Sequence, residues 1–65
     1  MSLKDLRIQN NITQQALANK LGVSQQLLSK WENKKAIPPI KRAISLAKVL
    51  NVSSDVVINI FSDVE

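Results

Sequence analysis

The stretch Thr13–Asn33, TQQALANKLGVSQQLLSKWEN, decides the fold. Gly22 stands near its middle with a helical pattern on each side. On the first side, Thr13 is a helix-capping residue type. Ile12 is placed to staple against Leu17, and Leu17, Ala18 and Leu21 repeat at i, i+1 and i+4. On the second side, Ser24 is another N-cap and Val23 can pack against Leu28. That pattern runs to Glu32 or Asn33. A glycine just past a helix takes the left-handed conformation that a Cβ disfavours, so it ends one helix and lets the next begin. The spacing predicts a helix from Gln14 to about Lys20 and another from Ser24 onward. Two helices joined by a turn of about three residues around a glycine make a helix-turn-helix unit, here over about residues 13–33.

Cap and stop signals continue outward in both directions. Ser2 is placed to cap a helix over Leu3–Asn10, with Asp5 in its first turn and Leu3 and Leu6 on one face. Pro38-Pro39 pushes the preceding residue out of helical geometry, and a further helix can open near Pro39 or Ile40. Ile40, Ala43, Ile44, Ala47 and Leu50 give it a helical stripe. Asn51 ends it. Ser53 or Ser54 caps a fifth helix with Val56, Val57, Ile60 and Phe61 as its apolar face, and Ser62–Glu65 carries no clear pattern. With one glycine and no Asn-Gly or Asp-Gly, the chain lacks a hairpin signal. The expectation is an all-α, compact five-helix bundle, with residues 1–65 as a single domain.

Composition narrows the chemistry. The 65 residues include no cysteine and no histidine, which removes thiolate sites, the commonest metal ligand and the commonest general base. There is also no tyrosine, no glycine-rich loop and no carboxylate pair in one site. No enzyme, metal, cofactor or small-molecule ligand is expected. The longest apolar run is Val56-Val57-Ile58, far short of the roughly 20 residues of a membrane span. The first residues hold no apolar signal core, so a soluble, cytoplasmic protein is expected. Residues 1–54 carry nine basic and two acidic side chains, whereas Asp55, Asp63 and Glu65 fall in the last eleven. A basic body suits a polyanionic partner.

The helix beginning at Ser24 is amphipathic in an informative way. At helical spacing, Leu28, Trp31 and Glu32 share one face, so Trp31 belongs to the core and is not a stacking platform. Gln26, Ser29, Lys30 and Asn33 form the opposite face, and each can hydrogen-bond. Gln25 lies nearer the inward face, but no preceding turn of helix covers it. Leu27 lies at the edge of the outer face. A glutamine amide pairs an acceptor with a donor in one plane, which matches the N6 and N7 edge of adenine. Lys30 can reach guanine O6 and N7, or a phosphate. Ser29 is a further base contact or plain surface. Leu27 is an exposed leucine or an apolar contact to a thymine methyl.

The chain resembles the Cro/C1-type (XRE) helix-turn-helix family of phage repressors and small bacterial regulators. Arg7, Thr13-Gln14, Leu17-Ala18, Leu21-Gly22-Val23-Ser24 and Trp31-Glu32-Asn33 carry the resemblance, which covers nearly the whole chain. It implies a five-helix bundle that binds double-stranded operator DNA, usually as a homodimer. It implies base contacts by Gln25, Gln26 and Lys30, and phosphate contacts by Gln14, Asn33 and the following Lys34-Lys35. It also implies that Gln14 braces Gln25, and that Arg7 and Glu32 form an ion pair. One position departs from the pattern. The family has glycine after Glu-Asn, and here stands Lys34, which must either take a left-handed conformation at roughly 1–2 kcal/mol or end the helix differently.

Two readings of function follow. The first is a transcriptional repressor acting by occupancy, dimerised through helix 5 with Ile58 or Phe61 meeting a second copy. The second is an antitoxin-like interaction module whose main partner is a protein. Lys41 and Arg42 read as solvated residues or as further phosphate contacts.

Overall fold

A computed structural model of the chain describes residues 1–62. Asp63 and Glu65, expected as part of an acidic tail, lie outside the described residues. The described residues form five helices: α1 (Leu3–Gln9), α2 (Gln14–Leu21), α3 (Gln25–Glu32), α4 (Ile40–Leu50) and α5 (Ser54–Phe61). They contain no strand, so the all-α bundle is the observed architecture.

Local chemistry sets the helix starts. The Ser2 hydroxyl accepts from the Asp5 amide while the Asp5 carboxylate accepts from the Ser2 amide, which closes a capping box. The Ser2 bonds hold the Asp5 pKa below its ordinary value of 3.8. The direction means that this contribution is complete above the ordinary carboxylate range and is lost as pH falls through the lowered pKa. The Thr13 hydroxyl accepts from Ala16 N–H and the Ser24 hydroxyl from Leu27 N–H. Pro39 precedes α4 in extended geometry and Ser53 precedes α5, each without a side-chain capping bond.

Four helix ends share one closure. Asn11, Gly22, Lys34 and Asn51 all have φ between 54° and 70°. At each, this residue's amide and the next one's reach back to the final turn. After α3, Lys34 N–H donates to the Trp31 carbonyl at 3.1 Å and Lys35 N–H to the Lys30 carbonyl at 2.8 Å. This is the Schellman pattern, which satisfies otherwise orphaned carbonyls. Lys34 thus takes the left-handed route, as the non-glycine residues Asn11 and Asn51 do at their turns.

The core is contributed by all five helices. It comprises Leu3 and Leu6, then Leu17, Ala18 and Leu21, then Leu28 and Trp31, then Ala43, Leu46, Ala47 and Leu50, then Val57, Ile60 and Phe61. Ile12 and Val23 pack against its edge beside the starts of the helices they precede. Two expectations are corrected. The α4 stripe runs through Ala43, Leu46, Ala47 and Leu50, leaving Ile40 and Ile44 exposed. The small Ala43 and Ala47 let neighbouring helices approach, and the bulkier isoleucines lie off that line. Phe61 is buried in its own core rather than offered to a second copy, whereas Ile58 is 40% exposed.

Arg42 also differs from a solvated residue. Its Nη1 donates to the Leu21 carbonyl, the last residue of α2, so a cation sits at the negative end of that helix. Asn10 Nδ2 donates to the carbonyls of Leu6 at 2.8 Å and Leu50 at 3.0 Å, which joins the ends of α1 and α4.

Backbone strain at the turns is measurable. A Cβ on Gly22 would meet nothing within 4 Å, so its φ of +70° is the whole objection to a side chain. Gly22→Ala is expected to cost about 1–2 kcal/mol by urea denaturation. Lys34→Gly should shift the midpoint the other way, by about 1 kcal/mol.

Candidate nucleic-acid interface

α2 and α3 are joined by Gly22-Val23-Ser24. Ala18, 2% exposed, lies on the α2 side of the junction, where a small side chain permits close approach. Leu28 and Trp31 are fully or almost fully buried, and they fix the roll of α3. The opposite face is thereby delivered to solvent. Gln25, Gln26, Lys30 and Asn33 are exposed, and Ser29 is half-buried. Leu27 is 36% exposed, at the margin of that face. Lys34 and Lys35 continue the exposed basic surface past the end of α3.

Along α3, from its last residue to its first, runs a polar chain. Arg7 Nε donates to Glu32 Oε2 at 2.8 Å and Arg7 Nη2 to Glu32 Oε1 at 3.4 Å. Arg7 Nη1 donates to the Ile12 carbonyl at 3.1 Å, just before α2. The guanidinium therefore joins α1, the entry to α2 and the end of α3. Gln14 Nε2 donates to Glu32 Oε1 at 3.3 Å, and Gln25 Nε2 donates to Gln14 Oε1 at 3.1 Å. Four side chains from three helices are so connected, from a mostly buried ion pair to an exposed glutamine on α3. At the other end of the helix, Asn33 Nδ2 donates to the Ser29 carbonyl at 2.9 Å and to its hydroxyl at 3.3 Å.

The structure therefore brings Arg7, Glu32, Gln14 and Gln25 together, and separately Ser29 and Asn33. Among the described hydrogen bonds, the side chains of Gln26 and Lys30 have no intramolecular partner to compete with a ligand. Two positioning residues, Arg42 and Asn10, were not anticipated. Their partners lie 21 and 40 residues away, so no local pattern marks them.

A family model described as Helix-turn-helix matches residues 3–57. The chain belongs to this family, the Cro/C1-type helix-turn-helix proteins. Its matched region runs from the first residue of α1 into α5 and includes the whole polar chain. Among similar proteins, the HTH-type transcriptional activator BcrR of Enterococcus faecalis is 38% identical over 53 residues, which is 82% of this chain and 26% of that protein. The uncharacterized HTH-type transcriptional regulator MJ0272 of Methanocaldococcus jannaschii is 44% identical over 50 residues, 77% of this chain and 76% of that protein. The chain thus spans about a quarter of the length of BcrR. No solved structure matches.

The ion pair is the element to break first. The Arg7 and Glu32 side chains are only 13% and 5% exposed. Arg7→Ala would leave the carboxylate mostly buried with one weak donor, an expected loss of about 3–5 kcal/mol in urea denaturation.

Proposed function

We propose that this domain binds double-stranded DNA sequence-specifically and regulates transcription, with α3 in the major groove. The observation that carries the reading is the outer face of α3. Its polar residues are solvent-facing because Leu28 and Trp31 turn the helix that way. The family match and the regulators among the relatives support it. Gln25 and Gln26 stand in the first turn, where recognition helices contact base edges. Lys30 follows one turn later, with Leu27 and Ser29 as the adjoining contacts. Gln14 at the start of α2, Asn33, Lys34 and Lys35 grip phosphates on either side. Phosphate contacts set orientation and base contacts set sequence preference.

The described residues measure 27 × 22 × 20 Å, less than the ~34 Å between half-sites one helical turn apart. One copy therefore reads one half-site, and a two-fold site requires a second. The exposed Ile37, Ile40 and Ile58, which line an open apolar groove, supply the surface for that second copy. Repression is by occupancy of an operator that overlaps a polymerase site. The sign of regulation follows from where the operator lies. No described helix is long and apolar enough to cross a membrane, and we place the protein in the cytoplasm with its DNA.

Two substitutions separate the contact classes. Gln26→Ala should lose roughly 1–3 kcal/mol on the selected site and relax preference at one base pair. Lys35→Ala should weaken all sequences alike and lower the slope of log K against log salt by about 1. A glutamine variant with unchanged preference rejects the base-reading role. Sedimentation with and without that DNA is expected to show two copies on the site, and a strict monomer in both conditions rejects the homodimer.

A further inference from the structure

We propose that Glu32 dictates which end of the Gln25 amide donates, and thereby makes Gln25 select adenine at one base pair. The inference rests on the reading of α3 as the groove-entering helix. It assigns a specificity role to a carboxylate that never touches DNA.

The argument follows the hydrogen-bonding inventory of each group. The two ends of a side-chain amide are told apart by their partners. The Glu32 carboxylate, paired with Arg7, only accepts. Gln14 lies 3.3 Å from Glu32 Oε1, so its nitrogen must face that oxygen. Its own oxygen is then turned toward Gln25, 3.1 Å away, and only the Gln25 nitrogen can donate there. The second N–H and the oxygen of Gln25 remain as an adjacent donor and acceptor. Adenine presents a complementary acceptor at N7 and donor at N6. Guanine presents two acceptors, N7 and O6, and one of them would meet the glutamine oxygen. An untethered glutamine could turn its amide over to suit another edge. Gln25 cannot do so without breaking its bond to Gln14. Gln26 has no such tether among the described hydrogen bonds, so it serves as an internal control.

Glu32→Gln should invert the chain. The 2.8 Å contact with Arg7 Nε holds the new amide oxygen in the place of Oε2. Its nitrogen then faces Gln14 and donates. Gln14 turns its oxygen inward and its nitrogen toward Gln25, so Gln25 must accept instead of donate. Adding Gln14→Glu restores the original polarity. The carboxylate introduced at position 14 would accept from the amide at position 32 on one oxygen and from Gln25 on the other.

The test is selection of bound sites from random duplex DNA by the full chain and by Q25A, E32Q, Q14A and the E32Q/Q14E double variant. Circular dichroism melting establishes that each is folded. The wild-type chain should enrich adenine at a base pair whose preference Q25A abolishes. E32Q should lower that enrichment about tenfold and leave the pair read by Gln26 unchanged. The double variant should recover adenine at this pair, with weaker binding to every sequence because the new carboxylate at position 14 brings negative charge toward phosphate. Q14A leaves the Arg7–Glu32 pair intact and should also lower the enrichment, so it carries the test if E32Q does not fold.

Wild-type enrichment in E32Q or in Q14A overturns the proposal, as does a folded double variant that fails to recover adenine. If Q25A leaves the selected motif unchanged, the proposal falls while α3 still reads through Gln26. If the wild-type chain selects no motif, the reading of α3 falls and takes this inference with it.

Discussion

The mostly buried contact between Arg7 and Glu32 is the constraint on which the rest depends. It ties the first helix to the last turn of the third at 2.8 Å. Through the Ile12 carbonyl it also fixes the entry to the second. A pair so poorly exposed is weak evidence for net stability, because desolvation offsets much of its attraction. Its structural effect is clearer. Arg7 offers donors in a rigid planar fork, and three of them are used on two partners from different parts of the chain. Apolar packing can hold α1, α2 and α3 together in several similar ways. A planar fork with fixed donor directions adds an orientation requirement that apolar contact lacks.

That requirement matters because the domain is small. A chain of 65 residues buries a modest fraction of its surface, and with no cysteine it has no covalent support. Its stability is assembled from short-range devices: capped starts, left-handed ends and one shared core. The helices have 7 to 11 residues, lengths at which an isolated helix is marginal in water. Packing supplies the remainder. Leu17, Leu28, Leu46 and Val57, each fully buried, bring α2, α3, α4 and α5 to a common interior.

Much of this was legible in the sequence because the chemistry is local. Ser2, Thr13 and Ser24 announce helix starts through bonds that span three residues. Gly22 and Asn51 announce the ends through their tolerance of positive φ. The inward roll of α3 followed from Leu28 and Trp31 alone. What sequence could not supply was the identity of neighbours. The apolar pattern of α4 admits two overlapping stripes that share Ala43, Ala47 and Leu50, and only the packing of α5 and α2 selects the one with Leu46 over the one with Ile40 and Ile44. Phe61 stood both on the apolar face of α5 and as a candidate for contact with a second copy, because the helix offers more apolar residues than a single face needs. Lys34 stood between two possible chain paths, and the carbonyls of Lys30 and Trp31 decided for the left-handed one. The bracing of Gln25 by Gln14 came from the resemblance, and its onward link to Glu32 is a finding of the structure.

The polar chain that ends at Gln25 begins in the attachment of α1. This couples two properties that are usually treated separately. Local opening that lifts α1 from the bundle would remove Arg7 from Glu32 and release the amides above it. The lysines beside α3 would keep their charge in such a state, so attraction to the DNA backbone would persist. On the proposed reading, discrimination at the base pair assigned to Gln25 would not. Warming toward the melting transition would therefore erode selectivity before it erodes general affinity for DNA. The undocked domain would be a charged but less selective binder, and on that reading the temperature dependence of its specificity would report on the docking of its first helix.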